Sequence, residues 1–150
     1  NYGATSREAC AVKGMNSRLD EIQAAILLEK LPWLDGWNER RRQIALVYSE
    51  RLAGAGVLCP REAAARHHVY HLYVVRVKDR EGFRARMAEC GIGTLVHYPV
   101  PVHRLAAYRE LAGYDADLPI TNDAAAQVVS LPLYPELEDH EVEAVAAAVV

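Results

Sequence analysis

The chain of 150 residues has few cysteines, no long apolar run and no strong charge of either sign. Its three cysteines, Cys10, Cys59 and Cys90, are odd in number and widely spaced. This argues against a disulfide framework or a zinc site and favours a reducing compartment. The net charge of −3 does not indicate a nucleic-acid or membrane-surface partner. Because no membrane-spanning stretch or signal peptide is visible, we expect a cytoplasmic protein.

The composition is that of a globular domain, with 51% apolar and 25% charged residues. The hydrophobic pattern predicts the order α, α, β, α, β, α, α, β, α, which is an α+β domain with a small sheet covered by helices. The chain begins at Asn1 and ends in an apolar helical run without a cap. We therefore expect it to be a piece of a longer protein.

The first helix is predicted to follow Ser17 as N-cap, with Asp20 at the third helical position. The segment from Leu19 to Leu31 is apolar nearly all round, which predicts packing on a missing domain or a second subunit. Pro32 should kink the helix or restart it.

The remaining helix starts and strands are predicted from caps and from β-branched runs. Caps are assigned to Asp35, Asp79 and Thr121, with a last helix near Asp139, and strands to residues 69–77, 94–97 and 129–131. The run Arg40-Arg41-Arg42 is interpreted as a solvated helix face.

Asn16 and Arg18 stand where a glycine-opened loop enters the first predicted helix. A helix N-terminus offers free N–H groups and the positive end of the dipole, which suits a phosphate. An arginine in the first turn opposes the dipole, which is a modest indication of a nearby anion. Alternatively, Asn16 is a turn residue and Arg18 a solvated one.

Residues 96–103 form a segment that Pro99 and Pro101 should hold extended, and it contains His97, Tyr98 and His103. Its position after a predicted strand is typical of a binding loop on a rigid scaffold, although a connector with two surface histidines is an equal alternative. The two histidines would lie roughly 20 Å apart if the segment is fully extended, so they are not expected to share a metal ion.

The remaining polar side chains do not indicate catalysis or metal binding. His67 and His71 have a helical metal-pair spacing, but the apolar and aromatic residues beside them favour a strand, so a metal site is not expected. We find no nucleophile–base pair in the sequence and predict no catalytic residue in this chain.

Several segments together resemble the C-terminal part of the DegT/DnrJ/EryC1/StrS aminotransferases. They are residues 14–25, 34–41, 69–76, 91–93 with 97–103, and 130–137. The resemblance implies the small C-terminal domain of the fold type I, aspartate-aminotransferase-like enzymes that use pyridoxal 5'-phosphate (PLP). Residues 1–31 would be a connecting segment and a helix that packs on the missing large domain.

The resemblance also implies an activity and a role for each matching residue. These enzymes are homodimers that transfer an amino group, with glutamate the expected donor, to nucleotide-linked keto-sugars for antibiotic, lipopolysaccharide or surface-glycan synthesis. Asn16 would reach the PLP phosphate of the neighbouring subunit, with Arg18 nearby. His97, Tyr98 and His103 would line the sugar-nucleotide side of the cleft.

Two alternatives remain open at the sequence level, because the segment that carries the family's Schiff-base lysine is absent from this chain. In the first alternative, the chain is a non-catalytic α+β ligand-binding or dimerisation module. Otherwise it belongs to a PLP-dependent sugar dehydratase built on the same scaffold.

Overall fold

A computed structural model describes residues 19–150, apart from the side chains at positions 106, 107, 109 and 112. The chain divides into two compact units, Asn1–Asp35 and Gly36–Val150. Within the described part, no helix combines the length and the apolar character that crossing a membrane requires.

The first unit contains α1, Glu21–Lys30, followed by a 3₁₀ turn, Leu31–Trp33, that carries Pro32. The expected interruption at Pro32 is thus confirmed. Asp20 occupies the N-cap position of α1, so its predicted place at the third helical position is wrong. The predicted cap Ser17 lies outside the described residues.

The second unit holds a two-stranded sheet and the remaining helices, with the first two residues of α2 lying before its boundary at Gly36. Its elements are α2 Leu34–Arg51, β1 Tyr73–Arg76, α3 Arg80–Glu89, α4 Pro119–Gln127, β2 Val128–Leu131 and α5 Asp139–Val149, with 3₁₀ segments Val102–Arg104 and Ala106–Asp117 between α3 and α4. Helix α2 begins at Leu34, whose neighbour Asp35 lies in its first turn rather than at the cap. Asp79 does cap α3, accepting a hydrogen bond from the Gly82 amide at 3.0 Å.

Strands β1 and β2 pair antiparallel, with Tyr73 opposite Leu131 and Val75 opposite Val129. The strand predicted over residues 69–77 is shorter at both ends. Its first half is excluded because Tyr70 has a φ of 47°, a left-handed conformation that a strand does not accommodate. The strand predicted over residues 94–97 is a single bridge between Leu95 and Ser130.

One face of the sheet is buried against helices α2, α3 and α5. The core includes Ile44, Tyr48 and Leu52 from α2, Tyr73 and Val75 from β1, Phe83 and Met87 from α3, Val129 and Leu131 from β2, and Val142, Val145 and Val149 from α5. Because side chains alternate along a strand, Val128 and Ser130 belong to the opposite face. That face positions the candidate site.

The arginine run of α2 is not the solvated face that its charge predicts, because two of its members hold distant segments. Arg40 donates to the carbonyl of Leu137 and to the carboxylate of Asp139, each at 2.7 Å. Arg42 donates to the carbonyl of His68 at 2.6 Å and to Glu62 at 3.2 Å. Helix α2 therefore anchors both the start of α5 and the segment before β1.

Candidate functional site

An apolar groove of about 770 Å³ lies between the segment that follows Leu95 and helix α4. Its size is typical of a small-molecule site. One wall is His97, Tyr98, Pro99, Val100, Pro101, Val102 and Leu105; the other is Ile120, Thr121, Ala124, Ala125 and Val128. None of these residues is a lysine, an arginine or a carboxylate, so the groove itself offers mainly shape and apolar contact.

Helix α4 forms its wall from a start three residues earlier than the sequence predicts. Thr121 was predicted as the N-cap, but the helix begins at Pro119, whose fixed φ suits the first helical position. Thr121 therefore lies inside the first turn and lines the groove instead of capping the helix. Arg76 ties α4 to the sheet through Asp123 and through Gln127, whose side-chain oxygen lies 3.0 Å from Nη2.

His97 and Tyr98 lie side by side in the first wall of the groove. Nδ1 of His97 lies 2.8 Å from the hydroxyl of Ser130, and the His97 ring packs edge-on against Tyr98 with centroids 5.5 Å apart. Tyr98 is 75% exposed, whereas Ser130 is 4% exposed. The pair thus combines an imidazole that is hydrogen-bonded to Ser130 with a phenol that is exposed to solvent.

His103 has a different environment from the other two predicted residues. It is 5% exposed and does not line the groove. Its Nε2 lies 3.0 Å from Oδ1 of Asp115 and 3.0 Å from Oδ1 of Asn122. Arg104 completes the group, with Nη2 donating to Oδ2 of Asp115 at 2.9 Å and Nε donating to Oδ1.

The electrostatics of this group centre on Asp115. The Arg104 guanidinium, and after it the hydrogen bond from His103, lower the pKa of the Asp115 carboxyl to about 2. Asp115 is therefore ionised across the physiological range and is a permanent acceptor for both neighbours.

Three of the residues that organise the site were missed from the sequence: Ser130, Asp115 and Asn122. Ser130 could have been found, because a hydroxyl inside the apolar run of a strand needs a partner when it is buried. Asp115 and Asn122 carry no comparable signal, since each stands among other polar residues in a region without regular periodicity.

The groove does not form a PLP site on its own. Such a site needs a lysine amine and donors for a phosphate, whereas the groove has no lysine and no arginine. The residues assigned to the phosphate, Asn16 and Arg18, lie outside the described range. No group of three His, Cys, Asp or Glu side chains suited to a metal occurs among residues 19–150.

The fold defines a class of protein when it is compared with solved structures. The crystal structure of DesV from S. venezuelae, in complex with a ketimine intermediate, superposes with a TM-score of 0.90 at 43% identity, over 99% of this chain and 40% of that chain. A DegT DnrJ EryC1 StrS aminotransferase from Brucella abortus superposes with a TM-score of 0.85 at 30% identity, over 99% and 39%. The architecture is thus that of the fold type I aminotransferases, in α+β form, as the resemblance implied.

Sequence comparison gives the family itself. Residues 1–150 match the DegT/DnrJ/EryC1/StrS aminotransferase family, and the chain belongs to it. It is 46% identical over 149 residues to a dTDP-3-amino-3,6-dideoxy-alpha-D-galactopyranose transaminase of Aneurinibacillus thermoaerophilus, covering 99% of this chain and 40% of that relative. It is 32% identical over 149 residues to a UDP-N-acetyl-3-dehydro-alpha-D-glucosamine 3-aminotransferase of Acidithiobacillus ferrooxidans, with coverages of 99% and 40%. The chain therefore spans about 40% of the length of these relatives.

Proposed function

We propose that this chain is the C-terminal, small-domain portion of a PLP-dependent aminotransferase that aminates a nucleotide-linked keto-sugar. The observation that carries the proposal is the 46% identity, along 99% of the chain, to a transaminase named for a dTDP-linked sugar. Glutamate is the proposed amino donor, and antibiotic, lipopolysaccharide or surface-glycan synthesis is the proposed setting. The scattered cysteines support a cytoplasmic reaction.

In this proposal the groove is part of the substrate wall, and the segment with His97, Tyr98 and His103 builds that wall. The apolar lining suits the uncharged parts of a nucleotide-linked sugar, while the diphosphate needs cations from outside the groove. Asn16 would contact the PLP phosphate of a neighbouring subunit in a homodimer, and Arg18 would lie beside it. Bound PLP supplies the electron sink for amino transfer; its lysine is proposed to come from the remaining portion of the protein.

The proposal is tested by replacing the matching segment of the Aneurinibacillus thermoaerophilus transaminase with this chain. We expect the chimera to show the visible absorbance of lysine-bound PLP, lost on borohydride treatment, and glutamate-dependent amination of the dTDP-linked keto-sugar. A chimera with the matching segment of the S. venezuelae transaminase, which is 45% identical to this chain, is the control for the transplantation.

Three results would separate the proposal from its alternatives. A histidine in place of the family's cofactor lysine in the coding sequence upstream of this chain supports a dehydratase. Loss of both PLP and activity in this chimera, with an active control, supports a non-catalytic module. The isolated chain should give no PLP absorbance; a band that maps to one of its own lysines would overturn the proposal that the reactive amine lies elsewhere.

The shared site has its own test within the chimera. Asn16→Ala should weaken PLP retention, whereas Asn38→Ala, a matched change in α2, should not. Mixing Asn16→Ala subunits with subunits that lack the cofactor lysine should restore part of the activity if each site is built from two subunits. No restoration would contradict the contact in trans.

A further inference from the structure

The hydrogen-bonding state of His103 follows from its two partners. Nε2 faces two oxygens, Oδ1 of Asp115 and Oδ1 of Asn122, each at 3.0 Å. The orientation of the Asn122 amide is fixed, because its Nδ2 donates to the Asp115 carbonyl at 2.9 Å. Its oxygen must then face His103, so Nε2 of His103 carries the hydrogen and donates to both acceptors.

The Nε2–H group of His103 links the two walls of the groove through these hydrogen bonds. His103 follows Val102, a residue of the first wall, in the 3₁₀ turn Val102–Arg104. Asn122 follows Thr121, a residue of the second wall, in α4. Asp115 lies between the two, since Arg104 of the same turn donates to its carboxylate and Asn122 donates to its backbone carbonyl, so the hydrogen bonds of His103 close a connected group.

The burial of the segment separates its side chains into two sets. His103 is 5% exposed and lies behind the wall, whereas Tyr98 is 75% exposed and lines the groove with half-buried His97. A nearly buried imidazole whose Nε2–H is already donated twice has little to offer a ligand in the groove.

We propose that His103 is a positioning residue that fixes the spacing of the two walls through its Nε2–H and does not itself touch the ligand. The nature of the ligand, a nucleotide-linked sugar, rests on the proposed function. The connection between the walls does not rest on it, since it belongs to this chain alone.

Two amide variants test the connection by placing the same chemical group at different positions. A glutamine side chain puts its amide nitrogen at the same number of bonds from Cα as Nε2, and asparagine puts it at the position of Nδ1. His103→Gln should therefore keep the donor near Asp115 and Asn122, and His103→Asn should lose it. Exposed His71 offers the control His71→Asn.

The first readout is backbone hydrogen exchange in the 150-residue chain. We expect His103→Asn to speed exchange by about tenfold or more in both residues 97–105 and α4, and His103→Gln and His71→Asn to change it less than about threefold. Equal acceleration by both amides at position 103, or acceleration of residues 97–105 alone, would overturn the proposal.

The second readout is the exchange of the His103 Nε2–H proton with water. If His103 only filled space, this exchange would not depend on Asn122. In the histidine-¹⁵N-labelled chain, the Nε2–H proton of His103 should exchange slowly with water and should exchange faster in Asn122→Ala. A His103 ring with Nε2 unprotonated in the wild type near neutral pH would overturn the assignment.

The third readout separates positioning from contact in the holoenzyme that contains this chain. His103→Asn should raise KM for the keto-sugar several-fold while His103→Gln restores it. If His103 touches the ligand, both variants should be equally impaired even though exchange in His103→Gln is normal, and the proposal fails. An absence of transamination in the wild-type holoenzyme would refute the proposed function, whereas the exchange and imidazole results would still decide the role of His103.

Discussion

His97 and His103 form their hydrogen bonds to the rest of the protein through different ring nitrogens. His97 uses Nδ1, bound to the hydroxyl of Ser130 at 2.8 Å, and His103 uses Nε2, bound to Asp115 and Asn122. We therefore expect glutamine to replace His103 and asparagine to replace His97 with the least loss. The spacing of the two histidines in the sequence does not reveal this difference.

For His97 we expect the reverse of the pattern at position 103. His97→Asn retains a donor or acceptor near Ser130 and should keep the segment ordered, whereas His97→Gln moves the amide away. Leaving the buried Ser130 hydroxyl unpaired should cost about 1–3 kcal/mol of unfolding free energy, measurable by urea denaturation.

Ser130→Ala completes this test as a matched change of the partner. Combined with His97→Gln it should cost little more than either change alone, because the same hydrogen bond is removed. Fully additive costs would show that the two side chains do not depend on each other.

Asp115 makes the folded state sensitive to acid. Its pKa in the folded chain is lowered from 3.8 to about 2 by Arg104 and His103, so its contribution is present above pH about 4 and is lost as the pH falls towards 2. Asp115→Asn should therefore lower stability near pH 7, and its difference from wild type should shrink between pH about 4 and 2.

Urea denaturation over this pH range measures the Asp115 effect, with exposed Asp117→Asn as the control. A wild-type minus Asp115→Asn difference that stays constant down to pH about 2 would contradict the proposed linkage.

At the scale of elements, the end of α3 shows how backbone conformation decides a boundary. Gly91 has a φ of 76°, its amide donates to Ala88 O at 2.9 Å, and the Ile92 amide donates to Met87 O at 2.8 Å. This is a Schellman motif, which requires the left-handed conformation at Gly91.

Gly91→Ala should destabilise the chain by about 1 kcal/mol, because a Cβ is strained in the left-handed region even though no atom lies within 4 Å of it. Gly93→Ala is the matched control, since its Cβ also meets no atom within 4 Å and its φ is not left-handed. Thermal denaturation of the two variants gives the comparison; equal melting temperatures would contradict the role of the motif.

The elements that the sequence predicted well are those with their own caps and periodicity. Helix α3 carries Asp79 at one end and Gly91 at the other, and its apolar residues Phe83 and Met87 are buried. Helix α5 starts at Asp139 as expected, and the side chain of Glu141 accepts a hydrogen bond from the amide of the N-cap residue Glu138 at 2.9 Å.

The strands were harder to predict because their length is set by a distant partner. β1 pairs with the four residues of β2, and Val69, Tyr70 and Leu72 before Tyr73 do not extend this pairing. The role of His103 was missed for the same reason: its acceptors come from Asp115 and from α4, and local spacing contains no information about either.

At the scale of the whole molecule, α1 presents apolar side chains to solvent. Ile22 is 77% exposed, Ile26 52% and Leu28 67%, and α1 has no buried residue. The sequence predicts that the segment from Leu19 to Leu31 packs on a missing domain or a second subunit, and this stays a prediction.

We expect the isolated chain to self-associate through this helix. Analytical ultracentrifugation should give an average mass that rises with concentration, and Ile22→Glu with Ile26→Glu should reduce the association by placing charges on the apolar surface. Gln23→Glu, an exposed change on the same helix, is the control. A wild-type monomer at all concentrations would contradict the expectation.

The two single bridges beside the sheet have a consequence for how copies of the chain can meet. Leu58 pairs with Arg76 along the outer side of β1, and Leu95 pairs with Ser130 along the outer side of β2. Each border of a sheet only four residues long is thus already occupied at one point by the chain itself, which makes it a poor template for a foreign strand. Fibril-like stacking through the sheet edges should consequently be suppressed. Association between copies of the chain should then occur through helical surfaces.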